Sequence, residues 1–422
     1  MAKVESISYA MAGREGNPLR ILVGGIVWPP ETFIERLIKG MVEAGAEITV
    51  ACDQKPTAAW LPHPRMKWLY APLWRGSSRA AYLARTIRMI PRAMMKGAGD
   101  IRKFRDHISR DQRRLARFYR WHQLLPFAGV RTDVIYFPWN SAAISYLPLF
   151  DLGYPVILSC RGAQVNIAPL DPGRSSMKKD LLSTFQKAAA VHCVSKAIMN
   201  EAQKYGLQVE KSTVIHPAVD PQFFHPAEPS TTELPGRAFH VTTIGSLIWR
   251  KGYEYALQAI RELKDKGINI RFNILGDGPE RQRVLYTVND LELNDVVELH
   301  GRNSPEDVRR VLQRSDAFLL TSLSEGISNA VLEAMACGVP VVTTDCGGMR
   351  EAVTDGVEGF VVPTRDTAAI VRALAHLWEH QEVRLRMGLA GRQRIERSFS
   401  LSHQVEDFIA VCRSLTAPAL QV

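Results

Sequence analysis

Apolar positions along the chain alternate between two spacings. Short apolar runs, typical of buried strands, are followed by stretches with an apolar residue at every third or fourth position, typical of helices. Predicted strands lie at residues 20–27, 47–52, 134–138, 155–159, 191–194, 213–216, 239–245, 270–275, 296–300 and 317–323. Strands that alternate with helices favour parallel sheets, because a helix must carry the chain back to the starting edge of the sheet. The pattern therefore predicts an α/β protein.

A linker divides this series in two. Residues 220–237 are rich in Pro, Ser, Thr and Glu and lack apolar periodicity. A chain of 422 residues is also long for a single core. We therefore predict a first domain over residues 1–219, a second domain over residues 238–400, and a terminal helix over residues 401–422 that crosses back to the first domain.

The net charge of +10 is concentrated in one segment of the first domain. Between Arg65 and Arg120 there are 16 Lys and Arg residues against three acidic ones. The periodicity predicts that residues 65–125 are mainly helical, with Pro91 kinking or dividing the first helix. Its apolar face is predicted to contain Leu83, Ile87, Ile90 and Met94.

Two interpretations of this basic segment remain open. A basic amphipathic helix is typical of proteins that bind an anionic membrane surface. The alternative is a helical hairpin that packs on its own domain and keeps a solvated basic face. Nucleic acid is not an expected partner, because no recognition fold or aromatic stacking pattern accompanies the charge.

The most informative motif lies at residues 324–338, which read Ser-Glu-Gly-Ile-Ser-Asn-Ala-Val-Leu-Glu-Ala-Met-Ala-Cys-Gly. Glu325 lies in a turn after an apolar strand, and Glu333 lies inside the helix that follows. The free amides at the start of such a helix form an anion site, here offered by Gly326, Ile327, Ser328 and Asn329. A phosphate site beside two carboxylates suits a diphosphate ester that carries sugar hydroxyls. The glutamates alone could equally be a helix-start charge and a solvated helix position.

A second motif supplies positive charge. Residues 245–252 read Gly-Ser-Leu-Ile-Trp-Arg-Lys-Gly, so Arg250 and Lys251 lie between a predicted strand and a helix. Breaking a sugar–diphosphate bond leaves negative charge on phosphate, which a cation must stabilise. The chain contains no Asp-x-Asp pair, so no metal ion is expected. A basic pair at a helix start is also common on protein surfaces.

Other candidates follow the ends of further predicted strands. Gly276 begins a Gly-Asp-Gly-Pro turn, and Arg302 follows residues 296–300. In the first domain, Gly24 and Gly25 permit a ligand to approach the backbone, and Arg161 follows residues 155–159. The sequence around Gly24 is not Gly-x-Gly-x-x-Gly, so no nicotinamide and no other cofactor is expected.

Together these motifs resemble the Glu-x7-Glu and Gly-Arg…Lys-Gly elements of family 4 glycosyltransferases, with members in exopolysaccharide and cell-envelope polysaccharide biosynthesis. Ser246 stands where that family usually has arginine, and Arg161 where it often has a histidine that touches the donor sugar. The resemblance implies the GT-B fold, in which two Rossmann-like domains with parallel sheets face each other across a cleft.

The resemblance also implies roles for these residues. Glu333 should bind the ribose diol, and Arg250, Lys251 and the amides of residues 326–329 should hold the diphosphate. Glu325 should face the donor sugar, either as nucleophile or as a group that positions hydroxyls. Nucleotide contacts are expected from Gly245, Ser246, Gly276 and Arg302, and contacts on the acceptor side from Gly24, Gly25 and Arg161.

The implied activity is retaining, metal-independent transfer of a hexosyl group from a UDP- or GDP-sugar to a hydroxyl of a glycan or polyprenyl-linked glycan. Scattered cysteines and the lack of an apolar leader favour a cytoplasmic protein. The basic segment suits a peripheral position on the inner face of the plasma membrane. A nucleotide-sugar epimerase or hydrolase of the same fold is an alternative. So is a non-enzymatic membrane-associated protein, for which Glu325 and Glu333 would be dispensable.

Overall fold

Two parallel sheets organise the protein. The computed structural model describes residues 18–54, 56, 63–71, 79–109, 114–228 and 237–416. The first sheet contains β1 (Arg20–Ile26), β2 (Glu47–Cys52), β3 (Met66–Tyr70), β4 (Val134–Phe137), β5 (Val156–Cys160), β6 (Ala190–Cys193) and β7 (Ser212–Val214). The second contains β8 (Phe239–Ile244), β9 (Ile270–Leu275), β10 (Val297–Gly301), β11 (Ala317–Leu320), β12 (Val341–Thr344) and β13 (Gly359–Val362).

Helices connect the strands and cover the sheets. Those between strands of the first sheet are α1 (Thr32–Glu43), α2 (Arg79–Ile108), α3 (Arg114–Leu124), α4 (Asn140–Ser145), α5 (Ala163–Asn166), α6 (Met177–Lys187) and α7 (Lys196–Gln203, which precedes β7). The others are α8 (Tyr253–Asp265), α9 (Arg281–Asp290), α10 (Pro305–Leu312), α11 (Asn329–Ala336), α12 (Met349–Ala352), α13 (Thr367–Glu379), α14 (Gln381–Ser398) and α15 (Leu401–Thr416).

The strand order creates one crevice in each sheet. The orders are β3-β2-β1-β4-β5-β6-β7 and β10-β9-β8-β11-β12-β13, and the strand pairings are parallel, as predicted. In both sheets the direction of strand addition reverses beside the first strand, between β1 and β4 and between β8 and β11. Loops diverge at the carboxyl ends of such neighbours, which is where open α/β sheets bind ligands.

The basic segment differs from the sequence prediction. Helix α2 continues through Pro91, so the proline does not divide the helix. The helical geometry is instead interrupted at Gly97, with φ −147° and ψ 39°. A Cβ on Gly97 would lie 2.3 Å from the amide nitrogen of Gly129. Close packing of two backbones therefore places the interruption, and strand β3 begins inside a stretch that was expected to be helical.

Helix α15 returns to the first sheet. It packs against α1, and its Phe408 is buried against Tyr136 of β4 and His192 of β6, with ring centroids 5.4 and 4.7 Å away. Helix α15 thus contributes to the core beneath the first sheet. The exact domain boundaries stay a prediction.

Glu351 of α12 connects the two halves of the protein. Its carboxylate accepts hydrogen bonds from the backbone amides of Lys196 and Ala197, at 2.9 and 3.0 Å, at the start of α7. It also contacts His216 Nε2 at 3.1 Å. Burial acts to raise the pKa of Glu351, but these hydrogen bonds outweigh it and the pKa lies below its usual value. A carboxylate from one half therefore caps a helix of the other.

We expect Glu351→Ala to destabilise the protein by about 1–2 kcal/mol, because two amides at the start of α7 lose their acceptor. Thermal unfolding measures the change. Glu382→Ala is the matched control, since its side chain is 73% exposed on α14. Equal unfolding temperatures for the two variants would contradict the capping role.

Candidate functional site

A cavity of about 640 Å³ lies between the two sheets. Its walls include Gly25 near the end of β1, and Glu31, Trp139 and Arg161 from the loops after β1, β4 and β5. Arg250, Glu325 and Gly326 line it from the loops after β8 and β11. The carboxyl ends of both sheets therefore meet at one cleft, and the structure brings candidates from both halves together.

An ion pair between Lys251 and Glu325 lies in this cleft. Lys251 Nζ is 2.5 Å from Glu325 Oε1, with 14% and 13% of the two side chains exposed. Ser322 Oγ donates a second hydrogen bond to the same carboxylate oxygen, at 2.8 Å. Burial acts to raise the pKa of Glu325, but Lys251, Ser322 and the nearby Arg250 outweigh it and lower the pKa. Glu325 is therefore an ionised, fixed carboxylate.

Backbone and hydroxyl contacts fix the turn that carries Lys251. Thr321 Oγ1 donates to the carbonyls of Lys251 and Gly252, at 3.0 and 2.9 Å. The amide of Leu323 donates to the Arg250 carbonyl at 2.7 Å. Gly252 has φ +61°, a conformation that favours glycine. The end of β11 thus holds the loop after β8, which explains how residues distant in sequence become neighbours.

The loops after β8, β9 and β10 are also close together. A Cβ on Gly276 would lie 1.9 Å from the Gly245 carbonyl oxygen, so no larger residue fits there. The Gly276 amide donates to the Gly301 carbonyl at 2.7 Å. Ser246 and Arg302 follow two of these turns and are exposed. The expected nucleotide contacts thus share one edge of the second sheet.

The loop at Glu325 and Gly326 touches the first domain directly. A Cβ on Gly326 would lie 2.7 Å from the Arg161 carbonyl oxygen, and one on Gly162 would lie 3.3 Å from the Gly326 amide. On the other side, the amide of Gly348 donates to the Gly326 carbonyl at 2.7 Å. The loop is therefore held from both domains.

Glu333 has a different environment on α11. Arg36 of α1, in the opposite half, places Nη1 3.4 Å from Glu333 Oε1. Burial nevertheless dominates and raises the pKa of Glu333 from 4.5 to about 7, although Arg36 acts against it. The two glutamates of the motif thus differ in charge near neutral pH.

Comparison with known proteins adds the family. Residues 226–394 match the family described as glycosyl transferases group 1, and residues 30–223 match glycosyltransferase family 4. The chain is 28% identical over 369 residues to WcaL of Escherichia coli, a glycosyltransferase named for colanic acid biosynthesis, covering 82% of this chain and 86% of WcaL. It is 29% identical over 229 residues to the amylovoran biosynthesis glycosyltransferase AmsK of Erwinia amylovora, covering 53% and 56%.

The chain belongs to the family 4, group 1 glycosyltransferases.

A solved structure confirms the fold. HepE of Anabaena, determined in complex with UDP and glucose, superposes with a TM-score of 0.67 at 15% identity, covering 94% of this chain and 100% of HepE. The predicted GT-B fold and the glycosyltransferase class of enzyme are therefore both confirmed.

Sequence reasoning missed several residues in or near this glycosyltransferase's cleft, among them three with charged or aromatic side chains. Trp139 follows β4, and Glu31 precedes α1; both line the cavity. Burial raises the pKa of Glu31, with Arg161 acting against it. Trp139 and Glu31 could have been found by attention to the ends of the strands around the β1–β4 crevice. Arg36 lies one turn inside a helix, and no sequence signal marks it.

Candidate metal ligands do not cluster in the described ranges. No group of three or more His, Cys, Asp or Glu side chains there could hold a metal ion. The chemical groups that line the cavity include carboxylates, guanidinium groups, amides, hydroxyls and an indole ring. Such groups bind polyhydroxylated and phosphorylated ligands.

We expect Glu333→Gln to stabilise the unliganded protein increasingly as the pH rises. A carboxyl whose pKa is higher in the folded state stabilises the fold below its unfolded pKa, near 4.5, and this contribution is lost as the pH rises to about 7. The difference between variant and wild type should therefore grow by up to about 3 kcal/mol between pH 5 and pH 8.

Unfolding measured across that pH range tests this, with Glu382→Gln as the exposed control. A constant difference between the Glu333→Gln variant and the wild type would show that the Glu333 carboxyl titrates normally.

Proposed function

We propose that the protein transfers a hexosyl group, with retention of configuration, from a nucleoside diphosphate sugar to a hydroxyl of a glycan or lipid-linked glycan. The observation that carries this proposal is the buried Lys251–Glu325 pair, which lies in the cleft beside Arg250. In the proposed complex the donor sugar lies against Glu325. Arg250 and Lys251 stabilise the negative charge that develops on the leaving diphosphate.

The neighbouring groups complete the donor site in this proposal. The amides of Gly326, Ile327, Ser328 and Asn329 lie at the start of α11 and favour an anion there. Glu333, one turn further, accepts hydrogen bonds from the ribose diol. Gly245, Gly276 and Arg302 lie beside the nucleotide. Because Ser246 stands where the family usually has an arginine, Arg250 supplies the guanidinium of this loop. No resident metal ion is required, because these cations supply the positive charge.

Glu325 is assigned an orienting role. Its carboxylate already accepts hydrogen bonds from Lys251 and Ser322, on the same oxygen. These bonds lower its nucleophilicity and fix its position. The departing phosphate oxygen then removes the proton of the acceptor hydroxyl, on the same face as the new bond. That geometry retains the anomeric configuration.

The acceptor belongs to the first-domain wall of the cleft. Gly25 and Arg161 line that wall together with Trp139 and Glu31, and Gly24 lies behind it against Phe137. An aromatic ring beside charged and polar groups suits a sugar, whose faces are apolar and whose rim carries hydroxyls. WcaL and AmsK are named for the biosynthesis of colanic acid and amylovoran. We therefore place the reaction in exopolysaccharide biosynthesis.

Calorimetry with UDP, GDP and their common sugars tests the donor site. We expect micromolar binding of one nucleotide series without added metal, and at least about tenfold weaker binding by Glu333→Ala and Lys251→Ala, because each loses a side chain that hydrogen-bonds the nucleotide in the proposed complex. Lys266→Ala, an exposed lysine at the end of α8, is the control.

Absence of binding by every nucleotide would contradict the proposal. Release of free sugar or of an epimer, with no transfer to any glycan acceptor, would support the epimerase or hydrolase alternative.

We also propose that α2 holds the enzyme on an anionic membrane surface. The first half of this helix exposes Leu83, Ile87, Ile90, Met94 and Met95 by 50%, 56%, 39%, 61% and 80%. Arg85, Arg88, Arg92 and Lys96 are exposed on the same stretch. The second half is packed inward through Phe104 and Ile108. A hairpin packed along its full length would bury the apolar residues of both halves. In the described part of the chain, no helix is long and apolar enough to cross a membrane.

Vesicle sedimentation tests the membrane surface. We expect binding to vesicles that contain phosphatidylglycerol and little binding to pure phosphatidylcholine. Each cation contributes about 1 kcal/mol near an anionic leaflet, so changing Arg85, Arg88, Arg92 and Lys96 to Gln should weaken binding at least about tenfold.

The control changes four exposed cations of the second domain to Gln, namely Lys266, Arg372, Arg386 and Arg397. Equal loss of binding in both variants would show that net charge, rather than α2, attracts the protein. A double change of Ile87 and Met94 to Ser separates apolar insertion from charge, and it should also weaken binding.

A further inference from the structure

A chain of hydrogen bonds runs beneath the first-domain wall of the cleft. Arg161 Nη2 donates to the Tyr136 hydroxyl oxygen at 3.1 Å. The Tyr136 hydroxyl lies 2.9 Å from Ser159 Oγ, which lies 2.7 Å from His192 Nδ1. His192 Nε2 lies 2.7 Å from the carbonyl oxygen of Ile215. The chain therefore crosses β4, β5 and β6 and ends beyond β7.

The direction of every bond in this chain is determined. The Ile215 carbonyl can only accept, so His192 carries its proton on Nε2. Burial lowers the pKa of His192 to about 3, so the ring is neutral and Nδ1 is an acceptor. Ser159 must donate to Nδ1, and Tyr136 must then donate to Ser159. The Tyr136 oxygen is left to accept from Arg161, which can only donate.

The chain is closed to solvent. Tyr136, Ser159 and His192 are 1%, 0% and 2% exposed. Phe408 of α15 covers both rings of the chain, those of Tyr136 and His192. Buried hydrogen bonds of this kind have few alternatives, because any rotation leaves a polar group without a partner. The chain is therefore rigid, and the terminal helix contributes to that rigidity.

The rigid hydrogen-bond chain, together with further contacts, fixes the position of the Arg161 guanidinium. Its Nε donates to the Pro138 carbonyl at 3.0 Å, and its centre lies 4.8 Å from the ring of Phe33. The hydrogen bonds to the Pro138 carbonyl and to the Tyr136 hydroxyl use two of the five N–H donors of the guanidinium. The others are left for a ligand in the cavity that Arg161 lines. A long side chain held in advance loses less conformational freedom when a ligand binds.

We propose that Tyr136, Ser159 and His192 are positioning residues. They hold Arg161 so that its guanidinium donates hydrogen bonds to oxygen atoms of the acceptor sugar in the cleft. Arg161 is the residue that touches the substrate, and the other three act through it. This proposal rests on the glycosyl transfer proposed above. The positioning role also explains why an arginine serves at this position. Its planar guanidinium has several N–H donors and can hydrogen-bond the protein and a sugar simultaneously.

A double-mutant cycle tests the proposal. The variants are Tyr136→Phe, Arg161→Gln and the double variant, with kcat and KM measured for the acceptor and calorimetry for the nucleoside diphosphate. Tyr154→Phe is the matched control, because its hydroxyl donates a single bond to the Val130 carbonyl at 3.1 Å, within the same domain. Thermal unfolding is recorded for each protein.

We expect Tyr136→Phe to lower kcat/KM about tenfold and Arg161→Gln to lower it further, since each removes a hydrogen bond to a charged group. The double variant should be no slower than Arg161→Gln alone, because Tyr136 acts only through Arg161. Binding of the nucleoside diphosphate, on the second domain, should stay within about twofold of wild type in these variants. Tyr154→Phe should behave like wild type.

Two kinetic outcomes would overturn the proposal. One is activity of Tyr136→Phe equal to that of Tyr154→Phe. The other is multiplication of the two losses in the double variant, which would mean that the residues act independently.

A measurement without turnover keeps the chain testable if Tyr136→Phe does not fold or if the transferase proposal fails. Nuclear magnetic resonance of protein labelled with ¹⁵N-histidine, assigned with His192→Gln, reports the protonation of each ring nitrogen. His192 should carry its proton on Nε2 and remain neutral between about pH 5 and pH 8. A proton on Nδ1, or protonation of the ring in that range, would overturn the direction of the chain and with it the positioning role.

Discussion

The ion pair between Lys251 and Glu325 is the interaction on which the cleft depends. Both side chains are largely buried, so neither charge would be tolerated without the other. The pair also joins the loop after β8 to the loop after β11, on the two sides of the crevice in the second sheet. Any ligand that enters meets a preformed arrangement of one carboxylate with two cations. The charged side chains therefore lie at the carboxyl ends of β8 and β11, where the direction of strand addition reverses.

The close approach of the two backbones where the domains meet is a second constraint on the structure. A side chain on Gly326 would collide with the carbonyl oxygen of Arg161, and the neighbouring Gly162 has φ +131°, a conformation that favours glycine. Glu351 caps α7 from the opposite half. The first contact lies at the cavity and the second lies away from it. Together they fix the distance between Arg161 and Glu325, which belong to different sheets. Glycine is needed at this junction because the two backbones touch, which is independent of any ligand.

The features that could be predicted from the sequence are those that depend on residues close together along the chain. Local periodicity predicted the parallel sheets, and the turn residues around Arg250 and Glu325 predicted where the second-domain wall of the cavity lies, since these features depend on neighbours along the chain. Gly97 shows the limit, because its break in α2 is caused by Gly129, 32 positions away. Arg36 was missed for the same reason, as its partner lies in the other half of the chain. The hydrogen-bond chain beneath Arg161 requires the alignment of three strands, which a single sequence does not reveal.

The two glutamates of the motif differ in a way that follows from where their cations lie. Lys251 and Glu325 belong to the same sheet, so their pairing persists whatever the relative position of the domains. Arg36 approaches Glu333 from the opposite domain, so the charge that opposes burial of Glu333 depends on both domains being in place. A carboxyl with a pKa of about 7 changes its proton occupancy in response to small changes around it. Glu325 is consequently a fixed charge of this glycosyltransferase, whereas Glu333 is an adjustable one, and the seven residues between them separate two different electrostatic environments.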